Sequence, residues 1–343
     1  MKKVISIIIP TYNMEEYLDK CLSSLLIKGI ERVEIIIVND GSSDNSLAIA
    51  QTYADKYPES FVVIDKKNGN YGSCVNAGLH CATGKYIKIL DADDSFYSAN
   101  FEEMVMMLDN LDVDLFLTDF VRVYLNKEKR ASLRFPSNVI MDFTKECLQN
   151  IKLISGIWMH NITYKRENLI KIKYKQSEGI FYTDNEWKFK PMATVKSAYY
   201  WKKPIYRYIL DREGQSVDDN VKIKHIEDDI LVTLRIIKDF NDMIIMNPDM
   251  KVVYQYVVYR RVLSIYKVNL LKRGLLDNQY LLKFDRELKA LDTDLYEKVG
   301  KKKISIILLP FPYINIWRKN PNGIFTKILV RLAKFVLFKL KRK

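Results

Sequence analysis

The sequence predicts an α/β protein: a mostly parallel central sheet flanked by helices, followed by a helical C-terminal extension. Three features predict it. Over the first 120 residues, short β-rich apolar runs alternate with amphipathic helical patterns. The apolar runs are near-continuous, as strands covered on both faces require. Each run ends in a cluster of acids, amides or glycines, and in such sheets ligands bind beyond the carboxyl ends of the strands.

In chain order, residues 4–9 form a strand and 15–26 a helix; "VEIIIVN" (33–39) is the second strand, followed by a helix over 44–56. "FVVID" (61–65), a helix over 71–82, "KYIKIL" (85–90), a helix from 99 and "LDVDLFLTDF" (111–120) complete the pattern. The polar clusters after the strands are "PTYN" with Glu15, "DGSSD", "KKNGNYGSCVNAG" and "DADD". Any one of them reads as a solvated turn or helix cap, and Asp44 is read as such a cap. Four of them on one sheet edge predict a ligand cleft.

With 343 residues the chain can bury a sizeable core, and its length predicts about two domains: 1–217, comprising a nucleotide-binding half (1–120) and an acceptor half (121–217), then a helical region, 218–343. Lys and Arg number 55 against 42 Asp and Glu, a formal charge of +13 that favours an anionic partner. Four cysteines, Cys21, Cys74, Cys81 and Cys147, lack metal-site or disulfide-framework spacing, which predicts a reducing, cytoplasmic setting. The N-terminal apolar run stops at Pro10 with no cleavage pattern, so it reads as a strand rather than a signal peptide. No apolar stretch approaches the roughly 20 residues of a membrane span.

The chemistry concentrates in "KILDADDS" (88–95). Close carboxylates repel unless a cation or donors compensate them, and Asp91 and Asp93 are placed to hold Mg²⁺ or Mn²⁺ against a diphosphate. Asp40 can accept hydrogen bonds from a base or ribose while Tyr12 lies against a base face and Asn13 or Glu15 fixes the loop. The glycines at 69, 72, 78 and 84 permit tight turns and close approach to ligand. There is no P-loop, no GxGxxG after the first strand, and no nucleic-acid-binding motif. The three histidines, His80, His160 and His225, are scattered, and His80 falls in an apolar helical pattern that reads as packing.

"SIIIPTYNMEEYLDKCLSSLL", "IIIVNDGSSDNS" and "NAGLHCATGKYIKILDADD" together resemble glycosyltransferase family 2, the inverting sugar-nucleotide transferases of GT-A fold. The resemblance is strong over residues 4–120 and looser to about 215. It implies a hexosyltransferase-like enzyme in which a nucleotide-sugar donor, usually a UDP-sugar, is bound with Mn²⁺ or Mg²⁺ and attacked in one displacement by an acceptor hydroxyl. The nucleotide-binding residues it implies are Pro10, Thr11, Tyr12, Asn13, Glu15, Asp40, Lys67, Asn70, Gly72, Asn76, Asp91 and Ala92, with Asp91 and Asp93 at the metal. Single displacement needs a general base beside the acceptor. "SEGIFYTDNEW" (177–187) resembles the family's Glu-Asp element, which makes Asp184 the base and Glu186 the fallback; an Asp and a Glu starting a helix is the competing reading. "GIWMHNITYKRENL" resembles the family's acceptor-side segment, placing Trp158, His160 and Tyr182 at the acceptor. Relatives often carry Arg where Val75 stands, so a phosphate or carboxylate contact is either missing or supplied by Lys66 or Lys67; His160 also stands where a Lys is common.

In the C-terminal region, Tyr254, Val257, Val258, Val262 and Ile265 share a helical face and read as core. The tail "IFTKILVRLAKFVLFKLKRK" repeats Lys327, Arg331 and Lys334 at helical spacing among apolar residues and ends in Lys339, Lys341, Arg342 and Lys343. That is the composition of an interfacial helix on anionic lipid, with "ISIILLPFPYINIW" as a second contact; a helix docked on its own domain is the alternative. The sequence therefore reads as a peripheral, inner-face glycosyltransferase with a glycan, glycolipid or glycoprotein acceptor and no nucleic-acid partner. The alternative is a catalytically silent sugar-nucleotide or partner-binding module.

Overall fold

The computed structural model describes residues 2–211, 215, 219–274, 279–306 and 309–335. The sheet begins with four parallel strands, β1 (Ile5–Thr11), β2 (Val33–Asn39), β3 (Phe61–Asp65) and β4 (Tyr86–Ile89), in the order β3-β2-β1-β4. Ile7 pairs with Ile35, and Thr11 with Asn39. Every residue of β2 is buried and β1 is buried except at Pro10, so the Ile and Val runs contribute to packing on both faces of the sheet. Helices α1 (Glu15–Ser23), α2 (Ser46–Lys56) and α3 (Asn70–Cys81) cross between these strands; α1 buries Leu18, Cys21 and Leu22. After β4 the chain forms β5 (Ser95–Phe96) and α4 (Ser98–Asn110), which buries Phe101, Met104, Val105 and Leu108.

The rest of the sheet comes from β6 (Leu115–Tyr124), β7 (Lys127–Ala131), β8 (Ile140–Asp142), β9 (Ile162–Lys165) and β10 (Ser197–Ile209). Helices α5 (Phe143–Gln149), α6 (Arg166–Lys171) and α7 (Asp184–Phe189) lie between them in sequence. The order continues β4-β9-β6-β10-β5. Strand β9 runs antiparallel to both β4 and β6, whereas β6 and β10 are parallel to each other. The reversal at β9 positions the site. The carboxyl ends of β1–β4, β6 and β10 share one edge, and β9 brings its amino end, preceded by Trp158–Asn161, to that same edge.

The chain divides into two compact units, Met1–Lys224 with Met243–Met250, and His225–Asp242 with Lys251–Lys343. The second is built mainly from helices: α8 (Asp219–Lys224) precedes it, and α9 (Ile226–Met246), α10 (Lys251–Tyr266), α11 (Gln279–Leu291), α12 (Thr293–Gly300), α13 (Tyr313–Lys319) and α14 (Ile324–Lys334) follow in order. Tyr254, Val258, Val262 and Ile265 are buried as their spacing predicts, joined by Val253 and Tyr266. In this unit Arg318 pairs with Asp285 at 2.8 Å and lies 3.4 Å from the ring centre of Tyr296. In the segment expected to be a second lipid contact, Ile304–Ile306 and Leu309–Phe311 form a small antiparallel ladder, and Tyr313, Ile314 and Trp317 are buried. Residues 307–308 and the terminal cations Lys339, Lys341, Arg342 and Lys343 lie outside the described residues.

Candidate active site

The loops after β1 and β2 lock together. Asn13 adopts a left-handed backbone (φ 52°), and its side-chain oxygen accepts from the Ser43 amide at 2.9 Å. Glu15 accepts from the backbone and side chain of Asn45, while the Glu15 amide donates to Asp44 at 3.0 Å. Asp44 also accepts from the Ser46 amide, closing the turn before α2; the cap position itself falls to Asn45, one residue after the predicted Asp44. Pro10 and the buried Thr11 form the end of β1, and Tyr12 projects from it, 50% exposed, free to face a planar ligand.

Asp40 is buried one residue beyond β2, with Gly41 left-handed behind it (φ +71°). Its carboxylate accepts from the Lys66 ammonium at 2.6 Å and the Gly69 amide at 3.0 Å. Lys66 also donates to the Ser73 hydroxyl and the Lys67 carbonyl. Lys66 thus places a cation beside Asp40; Lys67 is exposed and Val75 is fully buried.

At the start of α3, Asn70 is left-handed (φ 64°) and Tyr71 donates to Asp91 at 2.9 Å. A side chain at Gly72 would place its Cβ 1.9 Å from the Ser177 carbonyl oxygen, so this glycine serves the close passage of residues 176–178. Two residues expected at the ligand hold that segment instead. Asn76 donates to the Gln176 carbonyl and to Glu178 and accepts from the Gln176 amide. Glu186 accepts from the Ser177 amide at 2.7 Å and its hydroxyl at 2.5 Å and is itself buried. With both oxygens so committed, Glu186 is a fastener, which leaves Asp184 as the carboxylate of that helix with a role to fill.

The acidic tip closes the cleft. Ala92 is buried at the turn, and the Asp94 amide donates to the Asp91 carbonyl at 3.0 Å. Tyr206, from β10, organises the turn: its hydroxyl donates to Asp94 at 2.7 Å and accepts from the Asp91 amide at 3.1 Å. The Ile209 amide adds a second donor to Asp94 at 2.7 Å. Burial, and then the neighbouring Asp93, push the Asp91 carboxyl up to about 7, with Asp184 adding to the effect. Asp184, in the first turn of α7, is thus near enough to Asp91 to add to its repulsion although 93 positions separate them. Lys188 lies 3.9 Å from Asp184, and Asn185 donates to it at 3.2 Å. Tyr182, left-handed at φ 65°, turns the chain into this helix, its carbonyl accepting from Asn185.

His160 is boxed by Phe120, Tyr206 and Tyr208, with ring centres 4.9, 4.6 and 4.4 Å away. Burial first, then the charges of Lys88, Lys188 and Arg122, hold its pKa well below the usual value, so the imidazole is neutral. It belongs with the acids rather than with an exposed acceptor wall: Asp91, Asp94 and His160 bring ligand atoms within 4.8 Å of one another. The sequence pointed to Asp91 and Asp93; the structure adds Asp94 and His160 beside them. Beneath lies Lys88, fully buried on β4, whose ammonium donates to the carbonyls of His160 and Ile162 at 2.8 and 3.1 Å. It ties the donor-side strand to the turn at Met159–Asn161. Trp158 stands outside this box, 42% exposed.

The family model described as glycosyl transferase family 2 matches residues 6–173. A glycosyltransferase of Mycoplasma pneumoniae is 30% identical over 222 residues, covering 63% of this chain and 70% of the relative. The chain belongs to glycosyltransferase family 2. The glycosyltransferase YibD of Escherichia coli is 31% identical over 219 residues, 62% of this chain and 63%, somewhat under two thirds, of that protein. Among solved structures, residues 1–349 of S. aureus TarS, in complex with UDP-GlcNAc, superimpose with a TM-score of 0.66 at 17% identity, covering 99% of this chain and 92% of that one. The transferase therefore shares the fold of a GT-A-like protein, and its acidic cleft lies at the edge of the sheet where such folds bind their ligands.

Proposed function

We propose that this glycosyltransferase moves a sugar, with inversion, from a nucleotide-sugar donor to a hydroxyl of a cell-surface glycan, glycolipid or glycoprotein. The observation that carries the reading is the chain of contacts that joins Asp184 to the acidic tip: Lys188 lies 3.9 Å from Asp184 and 5.7 Å from the Trp158 ring, Trp158 lies 6.4 Å from His160, and His160 has ligand atoms within 4.8 Å of those of Asp91 and Asp94. The nucleotide half fits a base between Tyr12 and Asp40, with Thr11, Asn13, Asn70, Gly72 and Ala92 shaping its walls. A UDP-sugar is the first donor to test, since the TarS fragment of similar fold holds UDP-GlcNAc.

The residues fit a divalent cation. Asp91, Asp93 and Asp94 crowd together, the Asp91 proton is held up to about 7, and the buried Nδ1 of His160 has no hydrogen-bond partner. Asp94 already accepts two hydrogen bonds, so Asp91 and Asp93 would hold the ion. Mn²⁺ or Mg²⁺ bound there supplies positive charge to a departing diphosphate. Asp184 takes the proton from the acceptor hydroxyl as it attacks the anomeric carbon. Lys66, 2.6 Å from Asp40, orients that carboxylate as an acceptor for a base N–H. The fastened 176–178 segment holds α7, and with it Asp184, at a fixed distance from the acidic tip. Screening UDP-sugars with Mn²⁺ for UDP release tests the reading: one or more donors turn over at a rate that chelation removes, and a protein that neither binds nor cleaves any of them contradicts it.

Inner-face membrane attachment is part of the same reading. Among the described residues no helix is long and apolar enough to cross a bilayer. Helix α14 nevertheless exposes Ile324, Phe325, Ile328 and Leu332, with Lys327 and Arg331 also exposed. Such a surface suits shallow burial among anionic headgroups. The full chain should float with vesicles containing phosphatidylglycerol, and Ile328→Glu with Leu332→Glu should release it; equal binding to neutral vesicles would contradict the electrostatic part.

A further inference from the structure

Arg122 is an anomaly on its sheet. The arginines of the two strands beside it are paired: Arg130 with Asp119 and Arg207 with Glu128. Arg122, near the carboxyl end of β6, makes no ion pair and no side-chain hydrogen bond among the described residues. Its guanidinium lies instead over two rings, 5.2 Å from the centres of both Phe120 and Trp158. Phe120 and Arg122 share a face of the strand because they are two positions apart. Stacking engages the plane of a guanidinium and leaves its N–H edge free to meet an oxyanion in a two-point fork.

The place is as informative as the missing partner. Trp158 is exposed at the cleft mouth, its ring 6.4 Å from that of His160. A second cation, Lys188, sits 5.7 Å from the same Trp158 ring and 3.9 Å from Asp184. An exposed indole offers a flat apolar face to a sugar ring, and two cations beside it set the charge of what that ring carries. Asp91, Asp93 and Asp184 make the interior of the cleft acidic, so the positive rim is confined to the side on which the acceptor enters.

We propose that Arg122 receives an oxyanion borne by the acceptor, so that the transferase acts on an anionic saccharide whose phosphate or carboxylate group lies beside the attacking hydroxyl. This rests on the transferase reading above, with Asp184 on the acceptor side. Trp158 stacks on the sugar, Arg122 grips the anion, and Lys188 adds charge while lying next to Asp184. A neutral acceptor would leave the Arg122 fork unused.

The full-length protein, saturated with UDP and Mn²⁺ so that donor-phosphate contacts are filled, is titrated with glucose 6-phosphate, glucuronate and glucose. Binding is followed by tryptophan fluorescence, with Trp158→Phe identifying the signal. At least one anion should bind about tenfold or more tightly than glucose, and Arg122→Gln should remove that preference while leaving UDP affinity unchanged. Arg122→Lys, which keeps the charge and loses the fork, should retain part of it. A response to glucose 6-phosphate alone assigns a phosphorylated acceptor; a response to glucuronate alone assigns a uronic acid. The proposal is overturned if neither anion is preferred to glucose, if Arg122→Gln leaves the preference intact in a protein of unchanged Tm, or if it weakens UDP instead, which would make Arg122 a donor-phosphate ligand. Failure to bind UDP at all sinks the parent reading and this proposal with it, and is distinguished from the other outcomes by the UDP titration that precedes them.

Discussion

Asp184→Asn should lower sugar transfer about 10³-fold, within the 10²–10⁴ range that a positioned general base supplies, and leave UDP affinity unchanged. The substitution separates the two readings of this residue. Asparagine fits the first turn of α7 as well as aspartate does, so a purely structural role predicts a stable and active variant. A general base cannot be replaced by an amide, which accepts a hydrogen bond but does not take the proton. The loss should fall on kcat, because the base acts in the transition state rather than on ground-state binding. Glu186 offers the internal contrast: its oxygens are held by Ser177, so its substitution should lower Tm through loss of the 176–178 fastening.

Asp93→Asn should remove most of the stabilisation that Mn²⁺ confers and make the cation-free protein more stable at pH 8. The sign follows from Asp91. Its folded-state pKa, raised from the usual 3.8 to about 7 by burial and then by Asp93, means that the protonated form favours folding. That contribution is fully present below about 3.8 and is lost as pH rises through about 7, so at pH 8 the folded protein holds uncompensated carboxylates. A cation relieves them; below pH 7 the proton competes with it. The Mn²⁺-induced rise in Tm should therefore be larger at pH 8 than at pH 5.5, with about 2.7 kcal/mol expected at a hundredfold excess over Kd. Removing the Asp93 charge lowers the repulsion and the affinity together, the exchange of stability for function common at charged sites. A thermal-shift series in both pH values and both variants reads this directly; a shift independent of Asp93 would place the cation elsewhere.

The first 120 residues were largely readable because their signals are local. The Ile and Val runs of β1 and β2, the helices between them and the polar residues after each strand are patterns within about ten residues, and a parallel sheet brings their carboxyl ends to one edge. The placement of Asp40 and Asp91 at that edge was legible for that reason. The arrangement of residues 121–217 was not, because its geometry is made by distant pairs. Tyr206 reaches the acidic turn across 112 residues, and nothing in its own neighbourhood marks it. Strand β10 carries Pro204 in its interior, a residue that argues against a central strand, and the register shifts around it at Trp201 and Tyr206. The reversal of β9, which carries His160 to Asp91 and Asp94, has no signature in periodicity. Asn76 and Glu186 show the opposite case: residue types that suit a ligand site but are used to fasten the 176–178 segment, a distinction only the partners reveal. Lys88, a charged residue set in the apolar run of β4, is sealed beneath the site, a placement that its position in the run does not reveal.

The central claim is that the acidic tip at 91–93 and Asp40 bind opposite ends of one nucleotide sugar with the help of a cation. Anomalous diffraction from crystals grown with UDP and Mn²⁺ tests it most directly. The account predicts a manganese peak about 2.2 Å from the carboxylate oxygens of Asp93 or Asp91, the diphosphate beside it and the uracil between Tyr12 and Asp40. A manganese peak away from these carboxylates, or a base bound elsewhere with Asp40 still closed on Lys66, would contradict it.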